Sequence, residues 1–294
     1  MKKRKKRSTE DWIMDIVIYI LAAAILIATV YPFYYTFILS FNEGVDASRG
    51  GIYWLPRKFT LDNYAKFFTD AKWMVGFGVS VARTVLGTVL GVLFTTLVSY
   101  GLSFRGLIGR KGYMIFVIVC MYFSGGVIPY YMVLRSLHLI DTFWVYVIPG
   151  ALNLFFVIVG LSFFDGIPPS LRESAKIDGA GELTVFGKII LPISKPFLAT
   201  LALFVGVAQW NNWYDSAFFT KSKGLRTLSY LMMEVINTNQ RTSDLVASAH
   251  QASSTTSLSV QLAAMVIAVL PIVCVYPFLQ KYFVGGMMIG AVKE

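Results

Sequence analysis

Apolar and polar positions alternate in long blocks along this chain. Six predominantly apolar runs cover residues 12–39, 74–103, 113–134, 145–164, 197–217 and 258–279. A hydrocarbon core about 30 Å thick takes about 20 helical residues to cross. Each run therefore predicts a transmembrane helix, and the chain reads as an all-α, polytopic membrane protein with six spans. The third and fourth runs are separated only by residues 135–144, which predicts a tight outer hairpin. Gly125, Gly126 and Pro129 in the third run, and Pro271 in the sixth, predict kinks or broken hydrogen bonding at depth. The first run is too long for the apolar core of a secretory signal and ends at no small-residue cleavage site, so it reads as an uncleaved span.

Positive charge orients these spans. Placing the N-terminus inside puts six Lys and Arg in residues 2–7 on the cytoplasmic side. Three more fall in residues 105–111, four in the loop after the fourth run and two near the C-terminus, or 15 of the 26. The outer segments hold ten over much longer loops, and Arg83 lies inside the second run, where it snorkels outward or pairs near the pore. Both termini are thus expected in the cytoplasm. The outer loops, residues 41–72 and 218–257, are long enough to contain short amphipathic helices.

Composition narrows the function classes. The chain is 56% hydrophobic and only 14% charged, with a mean hydropathy of +0.64. A net charge of +10 would suggest nucleic acid on a soluble basic face, but here the cations sit between apolar runs and no aromatic-interleaved basic motif exists. Cys120 and Cys274 lie within apolar runs and read as small membrane-buried side chains. His138 and His250 are isolated, so neither a metal site nor a nucleophilic constellation assembles from the sequence. No GxxxxGK[ST] loop is present, so the chain is not expected to cradle ATP phosphates. The expectation is a non-enzyme that binds no cofactor or metal of its own.

The loop at residues 166–196 departs from the short polar connections usual between spans. Pro168 and Pro169 stop the preceding helix. Ser170, with Glu173 three positions later, makes a capping-box pattern for a new short helix, and Gly179 and Gly181 end it through a left-handed turn. A second amphipathic helix is predicted through Leu183, Phe186, Ile189 and Ile190, closed by Pro192. A helix as short as 170–178 is marginal alone in water and needs another surface to lie against.

Glu173-Ser174-Ala175, then Gly179, then Ile189, Leu191 and Pro192 together resemble the EAA loop of ABC-importer permeases. That pattern reads Glu-Ala-Ala, three residues, Gly, nine residues, Ile, one residue, Leu-Pro; Ser174 is the one departure. The resemblance spans nearly the whole chain. Phe59-Thr60-Leu61-Asp62-Asn63-Tyr64, Asp178-Gly179-Ala180, Trp210-Asn211, Gln280-Lys281-Tyr282-Phe283 and Gly290-Ala291-Val292-Lys293 are similar to the carbohydrate-uptake branch, closest to its maltose-type second permease. Phe123-Ser124-Gly125-Gly126, Ile128-Pro129 and Asp141-Thr142-Phe143-Trp144 resemble a subgroup tied to complex oligosaccharides. The family position that often carries Arg before the Phe-Phe of the fourth span is Leu161-Ser162 here, and no role is assigned to it.

The resemblance implies a permease subunit in a bacterial-type cell membrane. Its parts would be a basic start (1–11), a first helix with an outer loop (12–73), a permease core (74–280) and a cytoplasmic tail (281–294). It implies a second permease subunit, an extracellular solute-binding protein and two ATPase subunits holding ATP and Mg. The coupling set is Glu173, Ser174, Ala175, Asp178, Gly179, Ile189, Leu191 and Pro192. Ala175 would allow close approach to an ATPase, while Glu173 and Asp178 would meet its basic groups.

Polar residues at membrane depth are the pathway candidates. Asn153 is placed midway along the fourth span, and Gln209, Trp210, Asn211 and Asn212 in the outer half of the fifth. Amides and flat aromatic faces suit a hydroxyl-rich ligand; the same amides equally serve as interhelical glue, and Trp213 as part of an interfacial belt. Two rivals stay open from the sequence. One is a permease of the same class for amino acids or peptides. The other is an ion-coupled secondary transporter, for which Asp15, Asp165 and Asp215 all lie near span ends.

Overall fold

The computed structural model describes residues 9–123, 125–242 and 256–291. The basic start at Lys2 to Arg7, together with Ser124, His250 and Lys293, falls outside them. Contacts divide the chain into two compact units. One lies within Met1–Thr69 and Thr238–Ile267, the other within Asp70–Asn237 and Ala268–Glu294.

In the first unit, helix α1 (Thr9–Ser40) runs 32 residues, and none of its most apolar stretch is buried by this chain. Two short helices follow, α2 (Gly44–Ser48) and α3 (Asp62–Thr69), in the outer loop expected to hold such elements. Two buried amides fold this segment. Asn42 donates to the Asp46 carboxylate and accepts from the Lys58 backbone N–H at 2.8 Å. Asn63 donates to the carbonyls of Ser40 and Asn42, both at 2.9 Å.

The second unit is built around α4 (Ala71–Ser103), 33 residues long and so about 50 Å of helix. Its buried stripe, Gly76, Ser80, Arg83, Gly87, Gly91, Thr95 and Ser99, is made of small residues around a single arginine. Small side chains let membrane helices approach closely, which replaces the missing hydrophobic drive between them. Against this stripe pack α7 (Leu154–Asp165) and α11 (Lys195–Asn211). Gly160 of α7 shows how tight the fit is: a Cβ there would lie 2.6 Å from Ser99 Oγ and 2.7 Å from the Phe197 ring.

Among the described residues, three helical segments are long and apolar enough to cross a membrane: Glu10–Ser40, Ala71–Ser103 and Ser257–Val275, the last within α14 (Ser257–Ala291). Three bent pairs would bring the total to six. The third run is not one helix. Helix α5 (Arg110–Tyr122) and α6 (Val127–Ser136) are inclined at 116°, with the predicted Gly125–Gly126 break between them. Gly126, at φ 83, takes a conformation open to glycine and strained for other residues.

The fourth run also departs from a single helix over 145–164. It opens with a 3-10 turn, Phe143–Tyr146, and passes through irregular backbone at Pro149 and Gly150. Only at Leu154 does α7 begin, and its 12 residues give about 18 Å of helix. Pro149 has no N–H for a helix bond. Pro271, in contrast, does not break α14, which continues through it and Pro277.

Past α11 come α12 (Tyr214–Phe219), a 3-10 turn (Lys223–Leu225) and α13 (Leu228–Thr242). Asp141 pins this region. It stands at φ 58 after α6 and accepts from the backbone N–H groups of Lys221 and Ser222, both at 2.8 Å, and from Ser222 Oγ at 2.7 Å.

Candidate functional site: a helical hairpin and a polar cavity

The hairpin begins where α7 stops. Pro168 and Pro169 open α8 (Pro169–Ile177), with Pro168 in the N-cap position and Pro169 as the first helical residue. The capping box predicted from Ser170 and Glu173 does not form. Proline already presets φ at the first helical position and leaves no N–H to satisfy there. The Glu173 carboxylate consequently stands in solvent, without a partner among the described residues.

The other end closes as predicted. Gly179 sits at φ 81, its N–H bonds the Lys176 carbonyl at 3.0 Å, and the Ala180 N–H bonds the Ala175 carbonyl at 2.9 Å. This pair of bonds is a Schellman closure. The chain then returns through α9 (Glu182–Val185), a π turn (Phe186–Ile190) and α10 (Leu191–Ile193).

Pro192 stands one residue before the end of this second helix, which stops at Ile193. The wide π turn comes just before it, with the Leu191 N–H reaching back to the Phe186 carbonyl. The helix widens locally ahead of the proline and ends directly after it. The direction changes by 80° at Ser194, the residue before α11; Ser194 is fully buried and its hydroxyl bonds the Ile190 carbonyl at 2.7 Å.

The hairpin has two distinct faces. Ala175, Val185, Phe186 and Ile190 are buried in one cluster with Tyr100, Phe164 and Phe197, and Ile189 and Leu191 pack on it. The small size of Ala175 therefore serves packing against the chain's own helices. Glu173, Ser174, Asp178 and Gly179 are exposed on the outer side, as is Pro192. Ile177 and Leu183 remain 86% and 83% exposed.

Glu182 clamps the two arms together. Its carboxylate accepts from Arg172 Nη2 at 2.6 Å and pairs with Lys176 Nζ at 2.5 Å. These two hydrogen-bonded cations, Arg172 first, hold its pKa below the usual carboxylate value. The Arg172 guanidinium also lies over the Phe104 ring, 3.5 Å from its centroid.

The second feature is a polar cavity of about 280 Å³ within the same unit. Arg83, buried in α4, supplies its charge. It donates to Gln209 Oε1 at 2.8 Å and to the Asn212 carbonyl at 2.9 Å, pairs with Asp215, and lies over the Tyr146 ring at 4.8 Å. Tyr130 and Asn153 complete the polar lining. The irregular backbone at Pro149 and Gly150 also borders this space, and such backbone is tolerated at membrane depth where it lines a cavity.

Of the pathway candidates, Asn153, Gln209 and Asn212 meet here. Asn153 is not in mid-helix; it is the N-cap of α7, and its side chain accepts from the Phe156 N–H at 3.1 Å. Trp210 points elsewhere, its indole N–H bonding the Ala268 carbonyl at 2.9 Å. Asn211 is exposed and does not line the cavity.

The sequence reading left Arg83 open, set Asp215 aside and missed Tyr130 and Tyr146. The available signal was that a lone cation inside a span demands a counter-charge at similar depth. Among the described residues no group of three or more His, Cys, Asp or Glu side chains is arranged to hold a metal ion.

Several known proteins are similar to this chain. Protein LplC of Bacillus subtilis (strain 168) is 40% identical over 268 residues, 90% of each chain. The polygalacturonan/rhamnogalacturonan transport system permease protein YtcP of the same organism is 34% identical over 281 residues. That match covers 96% of this chain and 98% of its own. A chain in the crystal structure of a bacterial ABC transporter involved in the import of the acidic polysaccharide alginate matches with a TM-score of 0.85 at 27% identity, over 95% of this chain and 100% of that one. Residues 50–288 match a transport family, and the chain belongs to it: the binding-protein-dependent transport system inner membrane components.

Proposed function

We propose that this chain forms half of the translocation pathway of an ABC importer for an oligosaccharide, and that its hairpin receives the stroke of a separate ATPase. The chain is an integral permease subunit, and ATP hydrolysis belongs to partner subunits. A second permease, two ATPase subunits with ATP and Mg, and a solute-binding protein complete the machine.

The observation that carries the coupling reading is the two-faced hairpin. Its inner face is continuous with the packed core of α4, α7 and α11, while its outer face offers Glu173, Asp178 and bare Ile177 and Leu183. A surface pressed from outside would pass displacement to the spans as rigid-body motion, because close-packed interiors shift between discrete arrangements more readily than they deform.

The oligosaccharide reading draws on the relatives' names, which include polygalacturonan/rhamnogalacturonan and arabinooligosaccharide transport. It also draws on the cavity, where amides and tyrosines suit hydroxyl groups and ring faces. The test is uptake of end-labelled pectic and arabinan oligosaccharides by proteoliposomes holding the assembled importer and its binding protein. ATP-dependent accumulation that survives collapse of ion gradients supports the reading. Accumulation of amino acids or peptides alone would replace the substrate class.

A further inference from the structure

The turn between α4 and α5, residues 104–109, lies at the same end of the unit as the hairpin. Arg110, which follows this turn, bonds the Leu102 carbonyl at 2.8 Å and pairs with Asp165 at the foot of α7 at 3.1 Å. Between the turn and the start of α8 is a cavity of about 410 Å³, bordered by Tyr100, Arg105, Gly106, Arg172 and Glu173.

Three features there are unexplained by the fold. Tyr100 is 8% exposed, yet its buried hydroxyl has no hydrogen-bond partner among the described residues, a state that costs free energy unless something supplies one. Arg105 is exposed without an ion-pair partner among the described residues, as is Lys111, while Arg110, Arg172 and Lys176 are paired. Ile108 is 92% exposed, the highest value for any large apolar side chain among the described residues.

We propose that the 104–109 turn is a second ATPase contact beside the hairpin. Ile108 meets an apolar patch on the ATPase, Arg105 faces one of its carboxylates, and a polar side chain entering the cavity satisfies the Tyr100 hydroxyl. The proposal rests on the coupling reading above and extends its footprint. Continuity argues for it, since Glu173 of the hairpin borders the same cavity as Arg105.

The apolar exposure also continues across this end. Ile177 lies on the side of α8 opposite buried Ala175, turned away from the spans, where protein is a better match than hydrocarbon. An anionic lipid surface would suit Arg105 and be repelled by Glu173. A partner surface carrying both signs suits both, and opposite charges placed close together set docking register.

The test uses the complete importer in proteoliposomes, with Cys120→Ser and Cys274→Ser removing the native thiols. A benzophenone maleimide is attached at Ile108→Cys or, as the reference, at Ser174→Cys. Photolysis is expected to capture the ATPase from both positions. Arg105→Glu is expected to lower capture from position 108 and ATP-driven uptake by roughly tenfold, since like charges brought together at an interface are strongly unfavourable. Capture from 174 with only lipid adducts from 108 would overturn the second contact and leave the coupling reading intact. Unchanged uptake in Arg105→Glu would also overturn it. Capture from neither position would remove both.

Discussion

Removing the Asp215 carboxylate tests whether the Arg83 network holds the cavity wall together. The pair is enclosed, with side-chain exposures of 2% for Arg83 and 19% for Asp215. Asp215→Ala would leave a guanidinium among Gln209, the Asn212 carbonyl and the Tyr146 ring, three neutral groups that solvate it only in part. Breaking a buried pair from one side costs about 3–5 kcal/mol. The surviving acceptors put the expected loss near the lower bound, about 3 kcal/mol. At about 2–4 °C per kcal/mol for a unit of this size, the midpoint should fall by about 6–12 °C.

The control is the double replacement, Arg83→Met with Asp215→Leu. It removes both charges and should recover most of that loss, since apolar substitutes for a whole buried pair are often neutral. Thermal unfolding of the detergent-solubilised importer, followed by size-exclusion of a fluorescent fusion, reads both variants. A single variant within about 1 kcal/mol of the parent would refute the reasoning. So would a double variant as unstable as the single one.

The other predictions concern the hairpin and the packing seam. Gly179→Pro cannot adopt φ 81 and loses the bond to the Lys176 carbonyl; it should insert normally yet abolish ATP-driven uptake, measured in membrane vesicles with insertion checked by immunoblot. Ala175→Leu should force the inner face of the hairpin off Val185 and Phe186, costing about 1–3 kcal/mol and most of the uptake. Gly160→Val would place atoms against Ser99 and Phe197 and should lower thermal stability by about 1–3 kcal/mol, with normal stability counting against the close α4–α7 seam.

The Glu182 clamp should be pH-dependent. Its folded pKa lies below the model-compound value of 4.5, so its contribution is present above pH 4.5 and is lost as pH falls through the lower folded value. Spin-label distances between positions 174 and 184 should hold from neutral pH to 4.5 and broaden below it. Glu182→Gln should be broad throughout.

Much of this protein could be read from its sequence because membrane solvation permits few solutions. Apolar run lengths located α1 and α4 closely and the starts of α11 and α14, and the Gly179 spacing foretold a left-handed turn that the backbone makes. Two kinds of feature were harder to read. The run at 145–164 is apolar enough to pass for a helix, yet half of it is irregular. Hydropathy counts side chains and is blind to whether a backbone lines a cavity. The Arg83–Asp215 pair joins residues far apart in the chain, brought together where α4 packs against α11 and the chain turns into α12.

A reversible lock on the hairpin tests the coupling account most directly. A cysteine at Ser174 would be joined by a cleavable cross-linker to the ATPase in the assembled importer, and oligosaccharide uptake measured before and after cleavage. The account predicts that the lock stops ATP-driven uptake and that cleavage restores it. Uptake at the full rate while the hairpin stays locked would contradict it.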